Sequence, residues 1–193
     1  MSKTVFTVAD PHFTHAGVCK FEKNDGTKLR PWACPLEMDE ALVENWNTTI
    51  RPQDKVYVLG DITMSRKPSS LEILSRLNGD KVLIGGNHDI LSARVYLQYF
   101  RDVRAVHVWD KCVLTHVPVH PDSLSRWRFN VHGHLHSNEV MLPGGENIDP
   151  RYLCVSMEQP WINFKPIEWT EAMKLAQARM DESGMKHELT FHR

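Results

Sequence analysis

The sequence predicts an α/β fold, and three features carry that expectation. Short apolar runs rich in β-branched residues, at 4–9, 55–59 and 81–84, alternate with stretches of helical periodicity, the order expected of layered α/β architecture. Nearly every such run stops at a polar residue able to bind a metal or move a proton. After residue 129 short strand-like runs succeed one another without helices between them, which predicts an antiparallel part joining the sheet system.

The first strand is TVFTVA, residues 4–9, halted by Asp10-Pro11. The stretch 11–35 is polar and broken by prolines, with a turn at Asn24-Asp25-Gly26. Met38, Leu42, Trp46 and Ile50 then stand four apart, predicting a helix over 35–50 with one buried stripe. KVYVL, 55–59, is a second strand and ends at Gly60-Asp61. KPSSLEILSRLNG, 67–79, predicts a helix entered through Pro68 and Ser69 or Ser70 and closed by Gly79. A third strand at 81–84 runs into Gly85-Gly86-Asn87-His88-Asp89. A helix over roughly 90–100 leads to two strands joined at Asp110-Lys111, the second ending at His116. FNVH (129–132), EVML (139–142) and YLCVSM (152–157) predict further strands, with a turn at Pro143-Gly144-Gly145. Residues 170–184 predict an amphipathic helix with Thr170 as N-cap and Gly184 as its stop, leading into a loosely ordered tail from 185.

At 193 residues the chain is expected to form one domain over 1–193. Lys plus Arg is 23 and Asp plus Glu is 24, so no large field of one sign draws in a nucleic-acid polymer or a membrane. Histidine, at 11, is abundant, and it is both a metal ligand and a proton carrier near neutral pH. Cys19, Cys34, Cys112 and Cys154 form no C-x-x-C pair and read as reduced packing residues. No signal peptide and no run of about 18 apolar residues is present, so the expected location is the cytoplasm.

Just beyond the strand ends stand Asp10 and His12, then Asp61, then Asn87, His88 and Asp89, then His116, and finally His134 and His136. In layered α/β proteins ligands bind beyond the carboxyl ends of strands, so these residues are expected to share one site. Carboxylates, an amide oxygen and imidazoles together suit Mn, Fe, Zn or Co better than Ca or Mg. Seven donors are too many for one tetrahedral ion and about right for two that share a carboxylate.

In order, Asp10-Pro11-His12, Gly60-Asp61, Gly86-Asn87-His88-Asp89, His116 and Gly133-His134-Leu135-His136 resemble the motif series of the calcineurin-like metallophosphoesterases. That resemblance implies two packed mixed β-sheets flanked by α-helices. It assigns Asp10, His12 and His136 to one metal, Asn87, His116 and His134 to another, and Asp61 to both. Two divalent ions, Mn²⁺ first, with Fe, Zn, Co or Ni as alternatives, would stand ~3.5–4 Å apart and hold a bridging hydroxide for in-line attack on phosphorus. His88 would steady the transition state or protonate the leaving oxygen, and Asp89 would hold His88 or its loop. The second motif reads GDITMSR, without the extended G-D-x-x-D-R-G of the protein phosphatases, which disfavours a protein substrate. No long insertion supplies a cap domain. FEKNDGTKLRPW and Trp46-Asn47 are similar to a small group of uncapped phosphoesterases from bacteria and their phages, which places 13–35 at the border of the site.

The implied partner is a small phosphate ester, with a phosphodiester such as a cyclic or other nucleotide favoured over a monoester. A nuclease and a catalytically silent binding scaffold are the alternatives; the near-zero net charge weighs against the first and the full set of donors against the second. His15, His120, Arg126 and Arg128 are candidates for contacting substrate, the two arginines because they are interleaved with aromatics. Trp161, Asn163 and Phe164 read as packing at a sheet edge. His132 reads as a strand residue supporting the site, and His107, His187 and His192 as structural or solvated.

Overall fold

The computed structural model describes residues 3–186. Among these residues nine strands form two sheets. They are β1 (Val5–Val8), β2 (Lys55–Val58), β3 (Asp80–Ile84), β4 (Asp102–Arg104), β5 (His107–Trp109), β6 (Cys112–Leu114), β7 (Asn130–His132), β8 (Tyr152–Cys154) and β9 (Ile167–Glu168). The first sheet runs β4-β3-β2-β1-β9 and the second β5-β6-β7-β8. In the first, β1 to β4 are parallel and β9 is antiparallel to β1; in the second, β6, β7 and β8 are parallel and β5 is antiparallel to β6. An α/β fold with two mixed sheets is the result.

Val8, Val58 and Leu83 of one sheet and Leu114, Val131 and Leu153 of the other belong to one continuous buried cluster. The helix α1 (Pro35–Thr49) starts with proline at its first turn and buries Met38, Leu42 and Trp46 in that cluster, as their spacing requires. A smaller cluster of Val113, Leu124 and Tyr152 lies on the outer side of the second sheet. Cys19, Cys112 and Cys154 are buried and Cys34 is half-buried, all with free thiols. No helix among the described residues is long and apolar enough to cross a membrane.

Several local expectations change. The segment expected to be helical over 67–79 is a 3₁₀ helix, Pro68–Arg76. Leu71, Leu74 and Leu77 are buried three apart, the spacing that eclipses side chains on a 3₁₀ edge. Hydroxyls of Ser70 and Ser75 also donate to carbonyls three residues back, competing with α-helical bonding. The helix over 90–100 contracts to one turn, α2 (Ala93–Tyr96). EVML makes no strand; a single bridge, Met141 to Ile148, closes its turn. The late strands β7 and β8 are parallel to β6 rather than antiparallel. Their crossovers are a loop holding a short 3₁₀ helix, Pro121–Arg126, and a loop without a helix, so no 3.6-residue periodicity advertised them. Helix α3 (Trp169–Ser183) begins one residue before the expected start, with Glu168 at the cap and Thr170 inside bonding back to it. The Gly184 stop, at φ 65°, has the left-handed geometry expected of it. Of the anticipated tail, 187–193, with His187 and His192, lie outside the described residues.

Asp54 locks the start of the first sheet. Its carboxylate accepts from the N–H of Thr4 at 3.1 Å, and from the N–H and guanidinium of Arg51 at 2.9 to 3.0 Å. Its backbone then links to Asp80, so β1, β2 and β3 share one anchored edge. Arg51 lowers the Asp54 carboxyl from 3.8 to about 2, against the opposing effect of burial. A carboxyl depressed on folding stabilises the protein above its unfolded pKa and ceases to do so as pH falls through the folded one. Asp54→Asn is therefore expected to lose about 1 kcal/mol at neutral pH. In urea titrations the gap to wild type should narrow between about pH 4 and about pH 2; a gap that is flat across that range would count against this anchor.

Candidate metal centre

The carboxyl ends of β1 and β8 are sewn together by backbone hydrogen bonds, Ala9 N–H to the Val155 carbonyl at 2.8 Å and Met157 N–H to the Ala9 carbonyl at 3.1 Å. This seam brings the strand ends of both sheets to one place. There the chain leaves its strands in left-handed conformation: φ is 58° at Asp10, 49° at His12, 56° at Asp61, 71° at His134 and 53° at His136. Such angles are uncommon outside glycine, though Asp, Asn and His tolerate them best, and they cluster at functional sites. The turns also hold one another, Asp10 N–H bonding the Gly60 carbonyl and His12 N–H the Asp61 carbonyl, both at 3.1 Å.

Two sets of side chains converge, each with donor atoms within 4.8 Å of one another: Asp10, His12 and His136, and Asp61, His116 and His134. Both groups are able to hold a metal ion. Asp61 stands between them, its Oδ2 lying 3.3 Å from His116 Nε2 and 3.9 Å from His12 Nε2. Asn87 Oδ1 is 2.9 Å from His116 Nε2, which adds the amide oxygen to the second group. His116 Nδ1 faces the Leu59 carbonyl at 2.8 Å, so Nε2 is the nitrogen presented to the site.

The donors fit a cation on more than type. Asp10 is wholly buried; its Oδ2 accepts from His134 N–H at 2.9 Å and from the Ser156 hydroxyl at 2.6 Å, but its Oδ1 has no hydrogen-bond partner. A bare buried carboxylate oxygen is costly unless something positive faces it. That oxygen lies 3.9 Å from Nε2 of His12, its partner in the first group. Ions of the zinc type sit ~2.0–2.2 Å from such donors, which calls for donor separations of this order.

Electrostatics agree. Burial raises the Asp10 carboxyl to about 6, against the pull of His136 and His116. Burial would lower His116, but its hydrogen bond to Asp61 and the charges of Asp10 and Asp61 raise it to about 9. Burial would likewise raise Asp61, yet His116 and the His88 N–H hold it low. His12 is lowered to about 3 by burial and then by Arg30, so it stays neutral, as a ligand must. The raised His116 and the low Asp61 mark where positive charge is favoured, between the two carboxylates.

His88 stands at the mouth, its side chain 40% exposed and its Nε2 4.0 Å from Asp61 Oδ2. Asp89 does not support the His88 ring with its carboxylate. It accepts from the N–H groups of Asp61, Gly86 and Ile62 at 2.8 to 3.0 Å and so clamps the two strand-end loops together. A cleft of about 210 Å³ opens here, lined by His12, Asp61, His88, His134 and His136 together with His15, Val18, Phe21 and Met64. Part of segment 13–35 therefore does border the site. His15 lies 5.7 Å from the His12 ring.

His120, Arg126 and Arg128 are not brought to this cleft. Arg128 bonds Lys111 through its backbone and Gln177 through its side chain, at the amino ends of β6 and β7, opposite the site. Val119 is already bonded to Asn130 at the start of β7, which carries His120 away too; its ring instead caps the 3₁₀ helix at Asp122. Alternation with aromatics marked Arg126 and Arg128, but the crossover returns to the far end of the sheet before reaching them. His132 is buried in β7, with Nδ1 on the neighbouring Gly133 carbonyl and its ring 6.0 Å from that of Tyr152. Trp161 bonds the Cys154 carbonyl and Phe164 packs on Trp32, while His107 bonds the Tyr57 hydroxyl.

Sequence reasoning missed Arg30, Ser156, Glu158 and Gln159. Ser156 holds Asp10, Glu158 lies 3.1 Å from His136 Nδ1, and Gln159 donates to the His136 carbonyl at 2.7 Å. Glu158 offered a signal, as a carboxylate in the apolar-rich stretch 152–159, where ionised groups seldom go unpaired; Arg30, in a polar and mostly exposed segment, offered none.

No protein-family model matches the chain. An uncharacterised protein of Methanocaldococcus jannaschii is 29% identical over 177 residues, 91% of this chain and 92% of its own length. The gene 66 protein of Mycobacterium phage D29 is 27% identical over 205 residues, 90% of this chain and 96% of its own. Among solved structures, a protein of unknown function from Aquifex aeolicus matches with a TM-score of 0.65 at 23% identity, over 90% of this chain and 100% of that one, which shows a shared fold.

Close approach makes one glycine decisive. A methyl group on Gly86 would press on the Asp61 carboxylate and stand 2.6 Å from its backbone nitrogen. Gly86→Ala should therefore displace Asp61, costing ~1–3 kcal/mol of stability and weakening Mn²⁺ binding in a calorimetric titration. Wild-type Mn²⁺ affinity in this variant would refute the tight packing of the two loops.

Proposed function

We propose that the protein is a metal-dependent phosphoesterase of the calcineurin-like kind, acting on a small phosphodiester or phosphomonoester. The observation that carries this reading is the shared border of two donor groups at Asp61, with an exposed histidine beside it at the mouth of a cleft. Asp10, His12 and His136 would hold one divalent cation and Asn87, His116 and His134 a second, with Asp61 common to both. When bound, two such ions supply polarisation of phosphoryl oxygens and a lowered pKa for water. Mn²⁺ is the first candidate, given the mixture of oxygen and imidazole donors.

The chain's own residues account for the rest. The left-handed turns aim their donors inward, and Asp89 keeps the Asp61 and Gly86 loops in register. His88 Nε2 stands where it can hydrogen-bond a phosphoryl oxygen or give a proton to the departing ester oxygen. His15, Val18, Phe21 and Met64 offer a largely apolar wall for an organic substituent. An uncapped cleft leaves room for two ester groups, which favours the diester, a nucleotide among the candidates. The chain's net charge of −1 provides no track for a polymer.

Mn²⁺-loaded protein is expected to hydrolyse aryl phosphate diesters, and monoesters more slowly. Asp61→Ala should abolish turnover, and His88→Ala should lower kcat by about 10²–10⁴-fold while its metal content stays at the wild-type level. A metal-loaded wild type that turns over neither class, yet binds a protein partner, would replace the enzyme by a scaffold of the same fold.

A further inference from the structure

Beneath the first donor group lies an ion pair that no motif marks. Arg30 and Glu158 have side chains 0% and 0% exposed, with Nε and Nη2 of Arg30 each 2.7 Å from Glu158 Oε1. Arg30 gives the rest of its fork to the segment that carries two of the donors, Nη2 to the Asp10 carbonyl at 2.6 Å and Nη1 to the Pro11 carbonyl at 2.7 Å. Glu158 stands beside the third, its Oε1 3.1 Å from His136 Nδ1, a distance for electrostatic attraction though the two are not aligned as a hydrogen bond. Its other oxygen, Oε2, is buried without a hydrogen-bond partner. The second donor group is supported differently, His116 by the Leu59 carbonyl and Asp61 by the His88 N–H.

Stability alone is a weak reason to bury such a pair, because the desolvation of two ions offsets most of their attraction and apolar replacements often serve as well. Position is a better one. A carboxylate facing His136 Nδ1 favours the tautomer with its proton there, leaving the Nε2 lone pair for a cation. Arg30 in turn fixes the backbone between Asp10 and His12, and Glu158 cancels a charge that would otherwise repel a metal ion.

We propose that the Arg30–Glu158 pair is a positioning device for one donor group: it sets Asp10 and His12 from one end and His136 from the other, and so tightens metal binding there but not at Asp61, His116 and His134. Because this rests on reading the two groups as metal sites, both are tested together by calorimetric titration of the full chain with MnCl₂, alongside thermal unfolding of the metal-free protein. Glu158→Gln removes the charge and keeps the shape. Arg30→Met with Glu158→Met replaces the pair by apolar side chains of similar length. Wild type should bind two equivalents; each variant should bind one as wild type does and the other ~10–100-fold more weakly, with the metal-free double variant unfolding close to wild type. Folded variants that bind both equivalents normally, or lose both alike, overturn the positioning role. So does a double variant that fails to fold, which would assign the pair to the fold alone. Wild type that binds no Mn²⁺ overturns the metal reading itself, a result distinct from all of these.

Discussion

Two backbone hydrogen bonds, joining Ala9 to Val155 and Met157, hold the carboxyl ends of β1 and β8 together, and the arrangement of the site depends on that seam. Two twisted sheets with one shared core would otherwise be free to splay at their strand ends. Joined there, five strand ends from two sheets open on the same small volume. Asp10 from the first sheet can then accept a hydrogen bond from the backbone of His134 in the second, 124 residues away in sequence. The donor groups are thus a property of the joint, and neither sheet holds a complete set.

Because the joint is buried, its charges act through a medium of low polarity. The bare Oδ1 of Asp10 and the raised pKa of His116 both mark carboxylate charge that rewards a cation at the centre, while burial and Arg30 act the other way on His12 and keep its imidazole neutral beside it. Arg30 sits behind this region, and its guanidinium is matched by Glu158, so structure is supplied without adding net charge under the donors. The polar network around Asp10 is well bonded on every side but the one facing the site.

Much of this was readable in the chain, for a specific reason. Strand-ending residues such as Asp61 and His116 are local signals, since an apolar run and its stop are adjacent in sequence. The stripe of Met38, Leu42 and Trp46 is equally local. What escaped was long-range. Glu158 meets Arg30 across 128 positions, and nothing in either neighbourhood announces the other. The direction of β7 and β8 escaped for a related reason, as their crossovers lack the helices that usually betray a parallel return. Arg126 and Arg128 misled because alternation with aromatics is blind to which end of a sheet a loop reaches. The 3₁₀ helix could have been found, given that Leu71, Leu74 and Leu77 keep a period of three.

The pairing order of β1 also sets an order in time. It lies between β2, the next strand along the chain, and β9, which is separated from it by nearly the whole described chain. During synthesis at ~5–20 residues per second, roughly 10–30 s pass between the emergence of β1 and that of β9. For that interval one edge of the strand that ends in Asp10 is open, and for most of it neither Ser156 nor Glu158 exists to receive it. Asp10, Arg30, Asp61 and Asp89 are thus all made before Glu158, and the centre cannot close until synthesis has passed that residue.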